Sequence, residues 1–166
     1  NPAALKVHLY DLKSHGMLLV NEANYNKRNL KLASYEENPL EDGSLKEYNL
    51  ISVNMTKMVT NAAEGMGLTA KIVGRSANMF ALGLLLWLYE RKPDATFEFL
   101  NQKFAKKPEI IDLNTRALKA GMHYGETVEA IRTTYRVPKA KLESGTYRNI
   151  MGNQALAFGL LAAAKK

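Results

Sequence analysis

The chain has 166 residues, a hydrophobic content of 46% and a formal net charge of +7, which suits one domain with a real core and leaves little room for a second. It contains no cysteine, which excludes disulfides, thiolate metal sites, cysteine-ligated iron–sulfur clusters and a cysteine nucleophile within this chain. The lack of cysteine fits a reducing compartment, and we expect a cytoplasmic protein.

The first third of the sequence predicts helices that alternate with two short strands. Asn1-Pro2 suits the cap and first position of a helix, and Gly16 suits a left-handed cap that ends it. The apolar residues 17–21 and the alternating residues 48–53 predict buried strands. Helices are predicted over residues 2–13 and 26–34, so this part resembles α/β units.

The rest of the sequence predicts a series of helices. Ser76 is the expected N-cap of a very apolar helix, and Asp94 or Thr96 is the expected cap of the next. Pro108 opens a further helix, which we expect to break at Gly121 and to restart soon after. The predicted helices cover residues 56–64, 77–90, 94–106, 109–120, 125–133 and 153–166, with a linker over 137–145.

These elements predict a helix-rich α/β fold, a three-layer-like domain with a short, incomplete sheet. Only two strands are apparent, and a complete doubly wound domain needs more. The strongly apolar run Met79–Leu88 is too short to span a bilayer, so we expect no membrane insertion.

The final helix is apolar almost all round, which is typical of a helix buried on most sides. Because the sequence starts without Met and stops on this helix, we expect it to be cut from a longer protein. The helix has three possible supports: the helix over 77–90, a second copy of the chain, or a partner subunit. We expect an intermolecular contact, because the charged linker can hold the helix away from its own domain.

Two apolar segments resemble each other, namely Asn78 to Leu85 and Asn153 to Leu161. Each contains a glycine, Gly83 in the first and Gly159 in the second. We interpret the similarity as a shared need for a small residue where helices approach closely, and a true internal repeat is the less favoured alternative.

The sequence contains no motif that assigns a catalytic residue or a metal site. His8, His15 and His123 lie far apart, and no HxH or HExxH pair occurs. No P-loop or GxSxG occurs either, and Gly65-Met66-Gly67 follows a helix, which is the wrong context for a dinucleotide loop.

The best polar candidate is the segment Gly74 to Asn78, just before the apolar helix. Arg75, Ser76 and Asn78 lie beside a helix N-terminus, where backbone amides and the helix dipole favour a phosphate or carboxylate. The alternative is structural, with Ser76 serving only as a cap and Asn78 satisfying the backbone.

The excess positive charge lies in the last part of the chain, since residues 1–100 hold eleven basic and eleven acidic residues and residues 101–166 hold twelve and five. Such charge attracts phosphorylated ligands or acidic proteins, or belongs to a solvated face. Nucleic-acid binding is not expected, because no aromatic residues alternate with the basic ones. Two loose groups hold most of it: Lys103, Lys106 and Lys107, and then Arg132, Arg136, Lys139, Lys141 and Arg148.

An ordered set of short motifs resembles a known family. The motifs are Asn1 to Leu5, Asn38 to Leu45, Asn78 to Gly83, Ala120 to Gly125 and Gly152 to Gly159. Each is weak alone, but in this order they resemble the alpha subunit of 2-oxoacid:ferredoxin oxidoreductases, especially the 2-oxoglutarate type. The resemblance covers essentially the whole chain.

The resemblance implies a domain organisation. Residues 1–136 would be the latter part of a gamma-type domain, 137–145 a linker, and 146–166 the first helix of the following thiamine-diphosphate-binding domain. It carries no catalytic residue of the family onto a position of this chain, and the chain alone should be inactive.

The resemblance also implies a reaction of the whole assembly, the oxidative decarboxylation of 2-oxoglutarate with coenzyme A to acyl-CoA, CO₂ and reduced ferredoxin. Thiamine diphosphate, Mg²⁺ and an iron–sulfur cluster would belong to that assembly and none to this chain. Expected partners are a thiamine-dependent beta subunit, coenzyme A and, through the assembly, ferredoxin, with self-association also possible. The alternative is a non-enzymatic binding or scaffold module that uses the basic C-terminal third.

Overall fold

A computed structural model describes residues 1–128, 131, 134–138 and 140–164, and it confirms a helix-rich α/β fold with a short sheet. Two short 3₁₀ turns, Leu9–Asp11 and Glu22–Asn24, lie between the main elements. In chain order those elements are α1 (Pro2–His8), β1 (Met17–Asn21), α2 (Lys27–Leu32), β2 (Asn49–Val53), α3 (Met55–Ala62), α4 (Ala70–Gly74), α5 (Ala77–Leu88), α6 (Asp94–Lys103), α7 (Pro108–Thr127) and α8 (Gly152–Ala163).

The sheet of the described residues consists of two parallel strands. β1 pairs with β2 in register from Met17↔Asn49 to Asn21↔Val53, and the connection that carries α2 returns the chain to the start of the sheet, as parallel pairing requires. Side chains alternate between the two faces of a strand. Both faces of this sheet are apolar, so both need a covering layer.

The two faces of the sheet are covered by different layers. On one face, Val20 packs with Leu5 of α1 and with Tyr25 and Leu45 in a small core. On the other face, Ile51 and its neighbours join a larger core that α3, α5 and α7 complete. This arrangement confirms the predicted layered fold, in which helices cover both faces of a short sheet.

Helices α5 and α7 approach each other closely because two glycines lie between them. A Cβ atom on Gly83 would fall on the backbone carbonyl oxygen of Leu118, and one on Gly121 would fall on that of Phe80. The predicted break at Gly121 is therefore wrong. The residue lies inside a continuous 20-residue helix, where the missing side chain provides space for α5.

The predicted restart at Gly125 is wrong for a related reason. Gly125 continues α7, and a Cβ atom there would meet the indole of Trp87. The helix ends at Thr127 and Val128 is extended, so the predicted helix does not continue there, and residues 129, 130, 132 and 133 lie outside the described part of the chain.

Several predicted helix ends are also corrected. The left-handed residue after α1 is His15, with φ 61°, rather than Gly16; glycine is required at 16 because a Cβ atom would lie 2.8 Å from the carbonyl oxygen of Lys13. Neither Asp94 nor Thr96 caps α6, whose N-cap is Pro93 without a side-chain hydrogen bond. In contrast, Asn1 caps α1 as predicted and accepts a 2.9 Å hydrogen bond from the Ala4 N–H.

The segment Ala70–Leu88 is long and apolar enough to cross a membrane by length and composition. The turn at Arg75 and Ser76 divides it into α4 and α5. Phe80, Leu84 and Leu88 are buried in the larger core. Burial in this core accounts for the apolar composition of α5.

Helix α8 is exposed along its whole described length, so it is not buried within this chain as its composition suggests. Leu156, Leu160 and Leu161 are 61–65% exposed. Gly159 has open space around it, whereas Gly83, its counterpart in the similar segment, touches α7. The two lysines expected to close the helix lie outside the described residues.

Candidate functional site

A cavity of about 410 Å³ lies where α4, α5, α6 and α7 meet, and it contains all three anion-site candidates. Arg75 and Ser76 form the turn between α4 and α5, and Asn78 lies in the first turn of α5. The structure thus brings the three side chains to one place. Ligand binding by them stays a prediction.

Ser76 has a different role from the predicted one. It makes no capping hydrogen bond to α5. Its buried hydroxyl donates a 2.8 Å hydrogen bond to Oδ1 of Asn114 in α7, and Nδ2 of Asn114 donates a 2.9 Å hydrogen bond to the Ile110 carbonyl. Burial of these polar groups is tolerable because each hydrogen-bonds, and the pair fixes the starts of α5 and α7 against each other.

The two helices run in the same direction, since Ser76 meets Asn114 near their starts and Trp87 meets Gly125 near their ends. Their N-termini therefore lie at the same end of the fold, beside the cavity. Neither helix has a side-chain cap. The first backbone N–H groups of a helix lack intrahelical acceptors and carry partial positive charge, so this end of the cavity is electropositive.

Two lysines add to the positive charge of Arg75 around the cavity. Lys103 comes from the end of α6 and Lys107 from the residue before α7. The Nζ atom of Lys103 lies 5.1 Å from the ring centroid of Phe99 and 5.6 Å from that of Phe104, so two aromatic rings hold its ammonium group in place.

The cavity combines this charge with apolar walls. Leu100 and Leu113 are almost fully buried and line it together with Met79 and Ile110, while Glu109 supplies a carboxylate. A site of this kind suits an organic anion, with the cations binding the charge and the apolar walls contacting the body of the molecule.

Sequence reasoning identified Arg75, Ser76 and Asn78 but not Lys103, Lys107 or Asn114 as part of this site. Lys103 and Lys107 were visible only as members of a basic group. Their approach to Arg75 depends on the parallel packing of α5 and α7, which no local pattern contains. Lys106 of the same group lines an adjacent cavity of about 470 Å³.

The second basic group does not gather at this site. Arg136, Lys141 and Arg148 are exposed in a segment without regular secondary structure. Arg132 and Lys139 lie outside the described residues.

The histidines do not form a site among the described residues. Nδ1 of His8 lies 3.0 Å from a carboxylate oxygen of Asp11, and Nδ1 of His123 lies 3.1 Å from one of Glu126, both on exposed helix surfaces. Residues 1–128, 131, 134–138 and 140–164 contain no group of three or more potential metal ligands.

A further cavity of about 400 Å³ lies after the carboxyl ends of the strands, where α/β folds commonly bind ligands. Its lining includes Glu22, Glu41 and Asn54, and the Ser52 hydroxyl donates a 3.2 Å hydrogen bond to the Glu22 carboxylate. It lacks the cations and the apolar walls of the first cavity, and it has no sequence motif.

Comparison with known proteins gives two findings. The sequence model of the family described as pyruvate ferredoxin/flavodoxin oxidoreductase matches residues 1–124. The chain is also 49% identical over 163 residues, 98% of its length, to the 2-oxoglutarate oxidoreductase subunit KorA of Mycobacterium tuberculosis. The match covers 25% of that relative, so the chain spans about a quarter of its length. No solved structure matches the chain.

Proposed function

The chain belongs to the pyruvate ferredoxin/flavodoxin oxidoreductase family, and on this premise we propose that it is part of the alpha subunit of a 2-oxoglutarate:ferredoxin oxidoreductase. The observation that carries the proposal is the 49% identity, over 98% of the chain, to a subunit of a 2-oxoglutarate oxidoreductase. Identity at this level over nearly the whole chain supports the same subunit and the same 2-oxoacid.

The proposed reaction belongs to the assembly. It decarboxylates 2-oxoglutarate, joins the remaining acyl group to coenzyme A through a thioester, and passes the released electrons to ferredoxin. We propose a thiamine-dependent beta subunit as the direct partner, ferredoxin as the electron acceptor and the cytoplasm as the location.

The residues of this chain do not fit the iron–sulfur part of that chemistry. The sequence has no cysteine, and cysteine thiolates are the usual ligands of such clusters. The described residues also place no three carboxylate or imidazole groups together. We therefore assign to this chain no step that passes through a cluster, Mg²⁺ or thiamine diphosphate, and we propose that those groups are bound elsewhere in the assembly.

The division into a gamma-type domain over 1–136, a linker over 137–145 and the first helix of a thiamine-binding domain over 146–166 stays part of the proposal. It is supported by the lack of regular structure in the described residues between α7 and α8 and by the exposure of α8. No observation favours the alternative of a non-enzymatic scaffold module.

The substrate is tested by assaying the complete enzyme with 2-oxoglutarate, pyruvate and branched-chain 2-oxoacids. The readout is the reduction of ferredoxin that depends on added coenzyme A. We expect the highest kcat/KM with 2-oxoglutarate. A preference for pyruvate would contradict the proposed substrate while leaving the family membership intact.

A further inference from the structure

We propose that the cavity between α4, α5, α6 and α7 binds a nucleotide-sized phosphate ester, with its phosphate at Arg75, Lys103 and Lys107. The inference concerns a ligand in addition to the 2-oxoacid. It holds whichever 2-oxoacid the enzyme uses, because it depends only on the side chains around the cavity.

The cations point to an anion of more than one negative charge. They come from three different elements, the α4–α5 turn, the end of α6 and the start of α7, and they line the same cavity. Among the described residues, none of the three lies within salt-bridge distance of a carboxylate; the Arg or Lys ion pair there is Arg116–Asp112. Three such cations against Glu109 match a phosphate dianion better than a single carboxylate.

The arrangement of these cations is partly fixed before any ligand binds. Two aromatic rings hold the Lys103 ammonium group, and the buried Ser76–Asn114 hydrogen bond fixes the turn that carries Arg75 against α7. A site whose charges are already placed loses less conformational entropy when it binds.

The walls of the cavity indicate the rest of the ligand. About 410 Å³ is far more than inorganic phosphate needs and falls within the range of small-molecule sites. Met79, Leu100 and Leu113 offer apolar surface, and the half-exposed ring of Phe99 offers a flat aromatic face. These features suit a planar base on a sugar phosphate, and they do not suit the short, fully polar 2-oxoglutarate.

The test uses adenosine 5′-monophosphate as the probe, measured by calorimetric titration of the purified protein. We expect saturable binding that weakens as ionic strength rises, with adenosine and inorganic phosphate each binding at least about tenfold more weakly. Equal binding of adenosine and its monophosphate would overturn the proposal, as would 2-oxoglutarate competing with equal affinity.

Variants locate the binding. Arg75→Gln, Lys103→Gln and Lys107→Gln should each weaken it about tenfold. The matched control Lys106→Gln removes the same charge from the same segment but outside the cavity lining, and it should change the affinity less than about twofold. Glu109→Gln should strengthen binding. If Lys106→Gln weakened binding as much as Lys103→Gln, or if Glu109→Gln had no effect, the proposed site would be wrong.

Discussion

Two buried polar side chains of this chain are satisfied to different degrees. The Ser76 hydroxyl donates to Asn114 inside the fold. The Tyr25 hydroxyl is also buried, at 7% exposure of the residue, but no described residue lies within hydrogen-bond distance of it. A buried hydroxyl without a partner costs about 1–3 kcal/mol, so Tyr25 is a position where the native residue is not the most stable one.

Replacing Tyr25 by Phe should raise the free energy of unfolding at pH 8 by about 1 kcal/mol, because it removes this hydroxyl and keeps the ring. It should also change the pH dependence. Burial raises the pKa of Tyr25 to about 12, and the neighbouring Tyr35 phenol adds to the shift. An unfolded tyrosine ionises near pH 10, so the contribution of Tyr25 to stability is complete below about pH 10 and is lost between about pH 10 and 12.

The measurement is denaturant unfolding of the wild type and the Tyr25→Phe variant from pH 8 to pH 12. The decline in stability above pH 10 should be smaller in the variant. Tyr10→Phe is the matched control, since Tyr10 is 91% exposed, and it should behave like the wild type. A Tyr25→Phe variant that is less stable at pH 8 would show that the hydroxyl has a stabilising partner.

At the scale of secondary-structure elements, the contact between α5 and α7 positions both the core and the candidate site. Gly83 and Gly121 let the two backbones touch, and this contact brings the starts of both helices to one cavity. Glycine in the middle of a helix costs about 1 kcal/mol relative to alanine. The close packing offsets that cost at these two positions.

Replacing Gly83 by Ala should destabilise the fold by about 2–3 kcal/mol, because overpacking against a backbone carbonyl outweighs the gain in helix propensity. Chemical denaturation followed by circular dichroism measures this difference. Gly74→Ala is the matched control, since a Cβ atom there meets open space at an ordinary backbone conformation. A Gly83→Ala variant as stable as Gly74→Ala would contradict the α5–α7 packing.

At the scale of the whole molecule, α8 differs from every other long helix because its apolar residues contact no core of the described chain. Burial of a Leu side chain contributes about 1.5–3 kcal/mol. Exposure of Leu156, Leu160 and Leu161 therefore leaves several kcal/mol available to an intermolecular contact, which is the kind of support that we expected from the sequence.

Replacing Leu160 and Leu161 by Glu should abolish self-association or binding of the partner subunit, because both side chains are more than half exposed and form the apolar surface of α8. Gel filtration with and without the partner subunit measures this, and the thermal unfolding midpoint should stay within about 1 °C of the wild type, since surface substitutions change stability little. The matched control Val7→Glu with Tyr10→Glu makes the same change at two exposed apolar residues of the α1 region and should leave association unchanged. Unfolding of the Leu160→Glu, Leu161→Glu variant as a monomer would place α8 in the core of this domain.

The sequence by itself determined the features that depend on neighbouring residues. The apolar run 17–21 and the alternation at 48–53 predicted both strands, and Asn1-Pro2 predicted the start of α1, because burial pattern and capping are local properties. The ordered motifs also identified the family, which the comparisons confirm. Arg75, Ser76 and Asn78 were found because a polar turn before an apolar helix is visible in the sequence.

Only the tertiary structure decided the features that depend on distant residues. Gly121 resembles a helix break in the sequence, but its role is to admit α5. Ser76 resembles a cap, but its hydroxyl bonds to Asn114, 38 residues away. Lys103 and Lys107 reach Arg75 because α5 and α7 pack in parallel and place their N-termini side by side. Local patterns report the preferences of one segment, whereas the packing of one segment on another decides which of those preferences is used.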